Sequence, residues 1–419
     1  MRIGVLGSGG REHAMQWCLE RSQHAEIVHC LPGNGGTRNN VPIDPCVPTE
    51  VAAACERLSL DLLVVGPETP LAAGVVDHMV GHDTRVFGPT QAAARLESSK
   101  IWAKSFLERY GIPTAPFVVL NGFADLESAF DRYSGAVIKA DGLAAGKGVI
   151  VCRDAAELAD AWIRLTTLRP IGEQYLAEAR LDGWELSLLI LTDGKAWCAF
   201  PPSQDHKPLL DGDRGPNTGG MGAFCPVPGC DAALMRTIET RIIEPTLAGL
   251  RGEGLPYTGF LYFGLMITAE GPQVLEYNVR LGDPEAEVIL PALETDLCAM
   301  VGACLDGRLS EFDVHFSSDF FVDVVLASPG YPGSVECGVP IRGLNRAGDA
   351  LVFHAGTRIQ DGILVTAGGR VLNIVGSGPS LDRAIERAYA AVDRIGFDGV
   401  VFRRDIGARP TSRRIQERS

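Results

Sequence analysis

Four short apolar runs punctuate the first quarter of the chain: Arg2–Leu6, Glu26–Leu31, Asp61–Val65 and Arg85–Phe87. Each ends in a Gly/Pro loop, reading GSGG, PGNGGT, GPETPL and GPT in turn. A helix-like stretch, His13–Arg21, follows the first run. Strands that alternate with helices and end in such loops predict a parallel, doubly wound sheet. Ligands of such sheets sit beyond the strand C-termini, where these four loops lie. The rhythm then changes. Glu97–Tyr110 reads as a helix carrying Lys100 and Lys104, broken by Gly111-Ile112-Pro113-Thr114. A small α/β unit follows from Phe117 to about Glu185, with strands Ala136–Ala140, Val149–Cys152 and Tyr175–Leu181 and a helix Ala155–Leu165. Strand Leu186–Leu191 opens a larger mixed region that runs to about Ser317. From Phe320 to Gly407 come short strands, turns and one helix, Ser380–Ile395, and ARPTSRRIQERS reads as a frayed tail. No internal repeat is visible.

Length turns this pattern into several units, since 419 residues exceed one ordinary core. The balance of 38 Lys+Arg against 52 Asp+Glu, net −14, disfavours non-specific nucleic-acid binding. It leaves room for a local pocket that takes anions. The N-terminus MRIGVLGSGGREHA does not read as a signal peptide, and no stretch nears the ~18 apolar residues of a membrane span. The 11 cysteines are scattered with no CxxC pair, which argues against structural zinc and for a reducing, cytoplasmic setting.

Two segments carry candidate chemistry. Val137–Val149 is a strand ending in Lys139, followed by the loop Asp141–Gly148, DGLAAGKG, which holds Lys147. Small residues let backbone N–H groups approach phosphate oxygens, and lysines neutralise a transferring phosphoryl group. The spacing excludes a P-loop, because Gly148 stands where Ser or Thr is needed. Likewise GSGGRE is no dinucleotide fingerprint, since Glu12 takes the third glycine position. The second segment is Val274–Arg280. Alternation puts Glu276, Asn278 and Arg280 on one face. A carboxylate and an amide oxygen suit Mg²⁺ (or Mn²⁺) bridged to phosphates, and Arg280 can hold a carboxylate or phosphate. Read alone, either segment is also compatible with a plain surface turn or a solvated strand face.

Together the two segments resemble the ATP-grasp superfamily. Ordered strings along the whole chain narrow this to a resemblance to the phosphoribosylamine–glycine ligase family. They are GSGGREHA at Gly7–Ala14, PGNGGT at Pro32–Thr37, GPETPLAAGVVD at Gly66–Asp77, FGPT at Phe87–Thr90, SQDHK at Ser203–Lys207, GPNTGGMGA at Gly215–Ala223, YTGFLYFGLM at Tyr257–Met266, RLGDPE at Arg280–Glu285, FHAGT at Phe353–Thr357 and FRRDIG at Phe402–Gly407.

The resemblance implies an α/β and α+β multidomain fold. Its parts are a Rossmann-like domain at 1–98, an ATP-grasp main domain at 99–116 and 186–318, an inserted lid domain at 117–185 and a C-terminal domain at 319–419. It implies joining glycine to 5-phospho-β-D-ribosylamine through a glycyl phosphate, with ATP and a divalent metal. Only small molecules are implied as partners, with no nucleic acid, membrane or obligate protein. Lys100 and Lys139 are expected on ATP phosphates, with Gly142, Gly146, Lys147 and Gly148 in the mobile flap. Glu178, Leu181 and Glu185 fall on the adenine-binding strand, and Glu276 and Asn278 at the metal. Gly9, Gly10, Gly33, Asn34, Pro67 and Glu68 would face the ribosylamine, completed by Arg280, Asp283, Pro284 and Glu285. Asp205 would pair with glycine's ammonium. Asn217 and the backbone of Gly219, Gly220 and Met221 would lie near its carboxylate. Lys139, Lys147, Asp205 and Arg280 are the expected catalytic set.

The chain departs from the family pattern in places. Ala179 and Arg180 follow Glu178 where an acid and Phe are usual, and Arg169–Gly172 replaces a Phe-Gly-x-Ala-Gly segment. Ser98 stands where Gly is favoured, and Gly264 takes the place of a further acidic metal ligand. Lys104 reads as a solvated helix lysine, His13 as a loop cap, and His354 as packed within the C-terminal domain.

Overall fold

The computed structural model describes residues 1–143, 148–168 and 174–408. Its first sheet has four parallel strands in the order Ile27–Pro32, Arg2–Gly7, Leu62–Val65, Arg85–Phe87. Both faces are covered. Ile3 and Val5 pack with Ala14, Met15 and Leu19 of helix Gly10–Leu19. Leu6, Leu63 and Val65 pack with Val51 and Cys55 of helix Pro48–Leu58. This is why the strands read as unbroken apolar runs. Their C-terminal loops meet at one edge, where the Gly33 N–H donates to the Gly7 carbonyl at 3.0 Å and the Gly66 N–H to that of Leu6 at 3.0 Å. The first helix starts at Gly10, earlier than the expected His13. Glu12, three residues into the helix, accepts the Gly9 N–H at 2.6 Å and so secures its first turn.

The expected single helix over Glu97–Tyr110 is two helices, Arg95–Ser98 and Lys100–Arg109. Ser99 is extended (φ −136°, ψ 109°) and caps the second by accepting the Trp102 N–H at 3.1 Å. Beyond it, four strands form a separate antiparallel sheet in the order Phe117–Leu120, Tyr175–Ala179, Ala136–Ala140, Val149–Cys152. Helices Phe123–Tyr133 and Leu158–Leu168 cover one face, and Ala136, Ile138, Leu126 and Leu158 form its own small core. A short 3₁₀ turn, Ala155–Glu157, precedes the second of these helices, which therefore begins later than expected. Lys139 alternates to the opposite face of the sheet from Ile138.

A third sheet, antiparallel, runs Trp197–Ala199, Trp184–Thr192, Gly259–Thr268, Gly271–Asn278. It carries Glu276 directly opposite Gly264. The fourth sheet joins distant segments in the order Gln204–Asp205, Gly222–Cys225, Phe320–Ala327, Arg370–Gly378, Leu351–His354. Helix Leu381–Val392 packs on it through Ala384, Ala388 and Val392. Thus the strand bearing Asp205 lies in the same sheet as the C-terminal segment. Among the described residues no helix is long and apolar enough to cross a membrane.

Candidate active site

The strand register builds the nucleotide side. Lys139 pairs with Leu176 and Val137 with Glu178, so Lys139 and Glu178 are diagonal neighbours on one face. Their charges meet at 2.8 Å, and the Lys139 ammonium also donates to the Leu275 carbonyl at 3.1 Å. The other Glu178 oxygen lies 3.3 Å from Lys104. Lys104 is not the solvated lysine expected. It is 2 % exposed and donates to Thr114 Oγ1 at 2.7 Å and the Ala115 carbonyl at 2.9 Å. It lies on the buried side of its helix beside Ala103 and Phe106. Burial lowers its pKa to about 8 against the opposing pull of Glu178. Leu181 is half-buried just past the end of the strand Tyr175–Ala179.

Asp141 and Gly142 anchor the root of the glycine-rich loop. The Asp141 carboxylate accepts from Ser99 Oγ and the Ile101 N–H, both at 3.1 Å, and Lys100 donates to the Gly142 carbonyl at 2.8 Å. On the far side, the Gly148 carbonyl accepts the Ala140 N–H at 2.9 Å. Gly146 and Lys147 lie outside the described residues, as does the divergent stretch Arg169–Gly172.

Glu276 is the electrostatic centre. Burial works to raise its pKa, but Lys207, Lys139, Lys100 and Arg280 outweigh it and hold the carboxyl below its ordinary value. Its nearest cation is Lys207 at 3.6 Å, which also lies 3.4 Å from Glu185. Asn278 Oδ1 accepts from Arg280 at 3.3 Å. This carboxylate and amide oxygen fit a hard divalent ion that takes its other ligands from phosphates and water.

Arg280 is more fully engaged than a substrate clamp requires. It donates to Glu97 at 2.6 Å, Glu68 at 3.1 Å and the Leu281 carbonyl at 3.0 Å. Glu97 also accepts the Val279 N–H at 2.7 Å. Burial pushes the Glu97 carboxyl up to about 7, with Arg280 opposing. For Glu68 burial also acts upward, but Arg280 and Arg11 prevail and hold it at about 2.

The N-terminal loops meet the C-terminal segment around a cavity of about 380 Å³. Gly9, Gly33, Asn34 and Asp283 line it together with Gly356, Thr357 and Arg370. Gly10, Pro67 and Glu68 are not in this lining: Gly10 opens a helix, Pro67 precedes the short helix Glu68–Ala72, and Glu68 faces Arg280. Asn34 ties the loops together, donating to the Ser8 carbonyl at 2.9 Å and the His354 carbonyl at 2.7 Å. His13 accepts the His354 N–H at 2.8 Å, so His354 packs against the N-terminal helix as well as its own segment. Arg370 donates to the carbonyls of Gly219 at 2.6 Å and Asp283 at 2.8 Å, and faces the Asp283 carboxylate at 3.2 Å.

Asp205 completes the arrangement. Its Oδ1 is buried with no hydrogen-bond partner among the described residues. Burial, then the neighbouring Glu285, pushes its carboxyl well above the usual range. Glu285 is itself buried and accepts from Ser187 Oγ at 2.9 Å. Gly220 has φ +115°, and a Cβ there would lie 2.4 Å from Pro284 and 2.7 Å from Asp205 Oδ1. The backbone amides expected to steady a carboxylate are already engaged. Gly219 N–H donates to the Tyr331 hydroxyl at 2.9 Å, Gly220 N–H to Thr218 Oγ1 at 3.0 Å and Met221 N–H to the His206 carbonyl at 2.9 Å. Asn217 sits on the exposed strand Arg214–Asn217. Glu97, Lys207 and Arg370 were not singled out in the sequence. For Lys207 the signal was present, since it sits two residues from Asp205 in the same SQDHK string.

Family comparisons agree over the whole length. Residues 1–97, 98–286 and 321–409 match the N, ATP-grasp (A) and C domain models of phosphoribosylglycinamide synthetase. A phosphoribosylamine–glycine ligase of Ralstonia nicotianae is 45% identical over 99% of this chain and 100% of that protein. The trifunctional purine biosynthetic protein adenosine-3 of Homo sapiens is 43% identical, with 100% of this chain matching 43% of that longer protein. The crystal structure of phosphoribosylamine–glycine ligase from Thermotoga maritima superposes with TM-score 0.83 at 37% identity, covering 97% of this chain and 100% of that one. A biotin carboxylase domain from Hydrogenobacter thermophilus shares the fold at TM-score 0.70 and 14% identity, over 96% of this chain and 91% of that one. The chain belongs to the phosphoribosylglycinamide synthetase family, with its N, ATP-grasp and C domains in order.

Proposed function

We propose that this chain joins glycine to 5-phospho-β-D-ribosylamine at the expense of ATP, giving glycinamide ribonucleotide, ADP and phosphate. The observation that carries the reading is the Glu276 carboxylate held among Lys100, Lys139, Lys207 and Arg280, with Asp205 nearby in the same charge network, its Oδ1 buried and without a hydrogen-bond partner among the described residues. One side suits polyphosphate and metal, and the other an ammonium group. The domain limits at 98, 116, 185 and 318 belong to the same reading.

Glu276 and Asn278 would hold Mg²⁺ (or Mn²⁺), which supplies charge neutralisation at the phosphates. Lys100 and Lys139 bind the phosphates, with Glu178, Leu181 and Glu185 along the adenine edge and Lys147 in the flap. Asp205 takes glycine's ammonium and orients its carboxylate toward the γ-phosphorus. Gly9, Gly33, Asn34 and Asp283 hold the ribosylamine in the cavity that Arg370 closes, so that its nitrogen reaches the acyl carbon. No protein nucleophile is needed, because the acyl phosphate is the activated species; positioning and exclusion of water do the rest.

The deciding assay is ADP release with ribosylamine generated in situ, comparing glycine, alanine and serine. Glycine-dependent ADP is expected, and its absence refutes the reading. A bound ATP with no turnover on any of the three would instead mark a silent binder.

A further inference from the structure

We propose that Lys207 is a catalytic cation of the first step, its ammonium contacting glycine's carboxylate and the transferring phosphoryl group. The proposal rests on the ligase reading above. In that step a glycine carboxylate oxygen bonds to the γ-phosphorus. The bond from that phosphorus to the β–γ bridging oxygen breaks, and its electron pair leaves with ADP. No proton moves. Two anions must approach, so a cation is needed where they meet.

Most other cations near Glu276 are already engaged. Lys100 donates to the Gly142 carbonyl at 2.8 Å. Lys139 holds Glu178 at 2.8 Å and the Leu275 carbonyl at 3.1 Å. Arg280 is fastened to Glu68, Glu97 and Leu281. Lys147 lies outside the described residues. The Lys207 ammonium makes only two long ion pairs, 3.4 Å to Glu185 and 3.6 Å to Glu276, and its side chain is 27% exposed. Glu185, Glu276 and Asp205 all favour its charge, yet no short hydrogen bond among the described residues fixes where its ammonium points.

Its place in the chain brings it to the same corner. Lys207 lies just beyond the strand Gln204–Asp205, close enough to Asp205 for their charges to interact, while His206 between them turns to Phe224, with ring centroids 5.9 Å apart. Glycine's two ends thus find opposite charges two residues apart: Asp205 for the ammonium, Lys207 for the carboxylate. The amides of Gly219, Gly220 and Met221 cannot take that second part, since each already has a protein acceptor.

The test uses the full-length enzyme with K207Q and K207R, measuring kcat at saturating substrates, the Kd for ATP by fluorescence, and Tm. K207Q is expected to lose about 100-fold or more in kcat, the scale for removing one such contact, with ATP affinity and Tm close to wild type. K207R keeps both ion pairs but places a wider, planar head at the reacting atoms, and is expected to lose about tenfold. A kcat near wild type in either variant overturns the proposal. So does weakened ATP binding with normal kcat at saturation, which would make Lys207 a nucleotide or lid contact. A wild-type enzyme without glycine-dependent ADP release would be a separate failure, that of the ligase reading.

Discussion

At the scale of single residues, this site is organised by carboxylates that burial and cations pull in opposite directions. Asp205 is the sharpest case, a half-buried acid whose Oδ1 is buried with no hydrogen-bond partner among the described residues. Asp205→Asn is expected to raise the apparent KM for glycine far more than that for ATP. Equal effects on both would show that Asp205 does not take the ammonium group. Glu68 makes a prediction about acid stability. Its folded pKa of about 2 lies below the 4.5 of an unperturbed glutamate. Its stabilising contribution is therefore present above pH 4.5 and is lost as pH falls toward 2, worth roughly 3 kcal/mol at 1.36 per unit. Glu68→Gln should flatten that part of the stability-versus-pH curve while lowering stability at neutral pH, measured by urea unfolding from pH 2 to 7. Spacing alone places Lys139 near a strand end and Glu276 and Asn278 on one strand, and the structure keeps those placements. Lys104 was not legible in that way. Four residues from Lys100, it looks like a solvated neighbour, and only the approach of Glu178 from another strand turns it into a buried ion pair.

At the scale of elements, apolar runs and Gly/Pro loops were enough to place the four parallel strands. The break at Ser99 was hidden, because serine inside an apolar-periodic stretch is tolerated in a helix interior. Its capping role becomes visible only with Asp141 in place. Ser99→Ala removes both the cap and the tie to the root of the glycine-rich loop. A loss of about 1 kcal/mol is expected from the cap, with a raised KM for ATP as Lys100 and Gly142 loosen. A drop in stability without any change in ATP KM would separate the two roles and limit Ser99 to capping.

At the scale of the whole molecule, the contacts that finish the site cross long stretches of chain. Arg370 joins Gly219 to Asp283. Arg403, 1 % exposed, donates to Asp213 at 3.0 Å, to Asp405 at 2.8 Å and to the Pro208 carbonyl at 3.1 Å, fastening the hairpin Pro208–Asn217 to the chain's C-terminal end. No local pattern announces such pairings, and the family resemblance supplied the strings without their partners. Arg403→Met is expected to lower the Tm by removing the contacts to Asp213, Asp405 and the Pro208 carbonyl that fasten the hairpin. Because the hairpin follows Asp205 and Lys207 directly, glycine KM should rise as well. A normal KM in the destabilised variant would show that the hairpin does not position the glycine corner.

The sheet that carries Asp205 has a consequence for the newborn chain. Gln204–Asp205 pairs with Gly222–Cys225, whose other edge is covered by Phe320–Ala327, itself flanked by Arg370–Gly378. The parallel sheet and the four-stranded sheet between Phe117 and Ala179 have their strands in hand early in translation. The sheet that carries Asp205 has to wait for roughly 150 further residues after Cys225, on the order of ten seconds at ribosomal speed. A ribosome-stalled product ending before Phe320 would already bear Gln204–Asp205 and its partner Gly222–Cys225, yet would lack the two strands that continue the sheet beyond them. The sheet around Asp205 and the cavity lined by Gly356, Thr357 and Arg370 are both completed only when the C-terminal segment has been made.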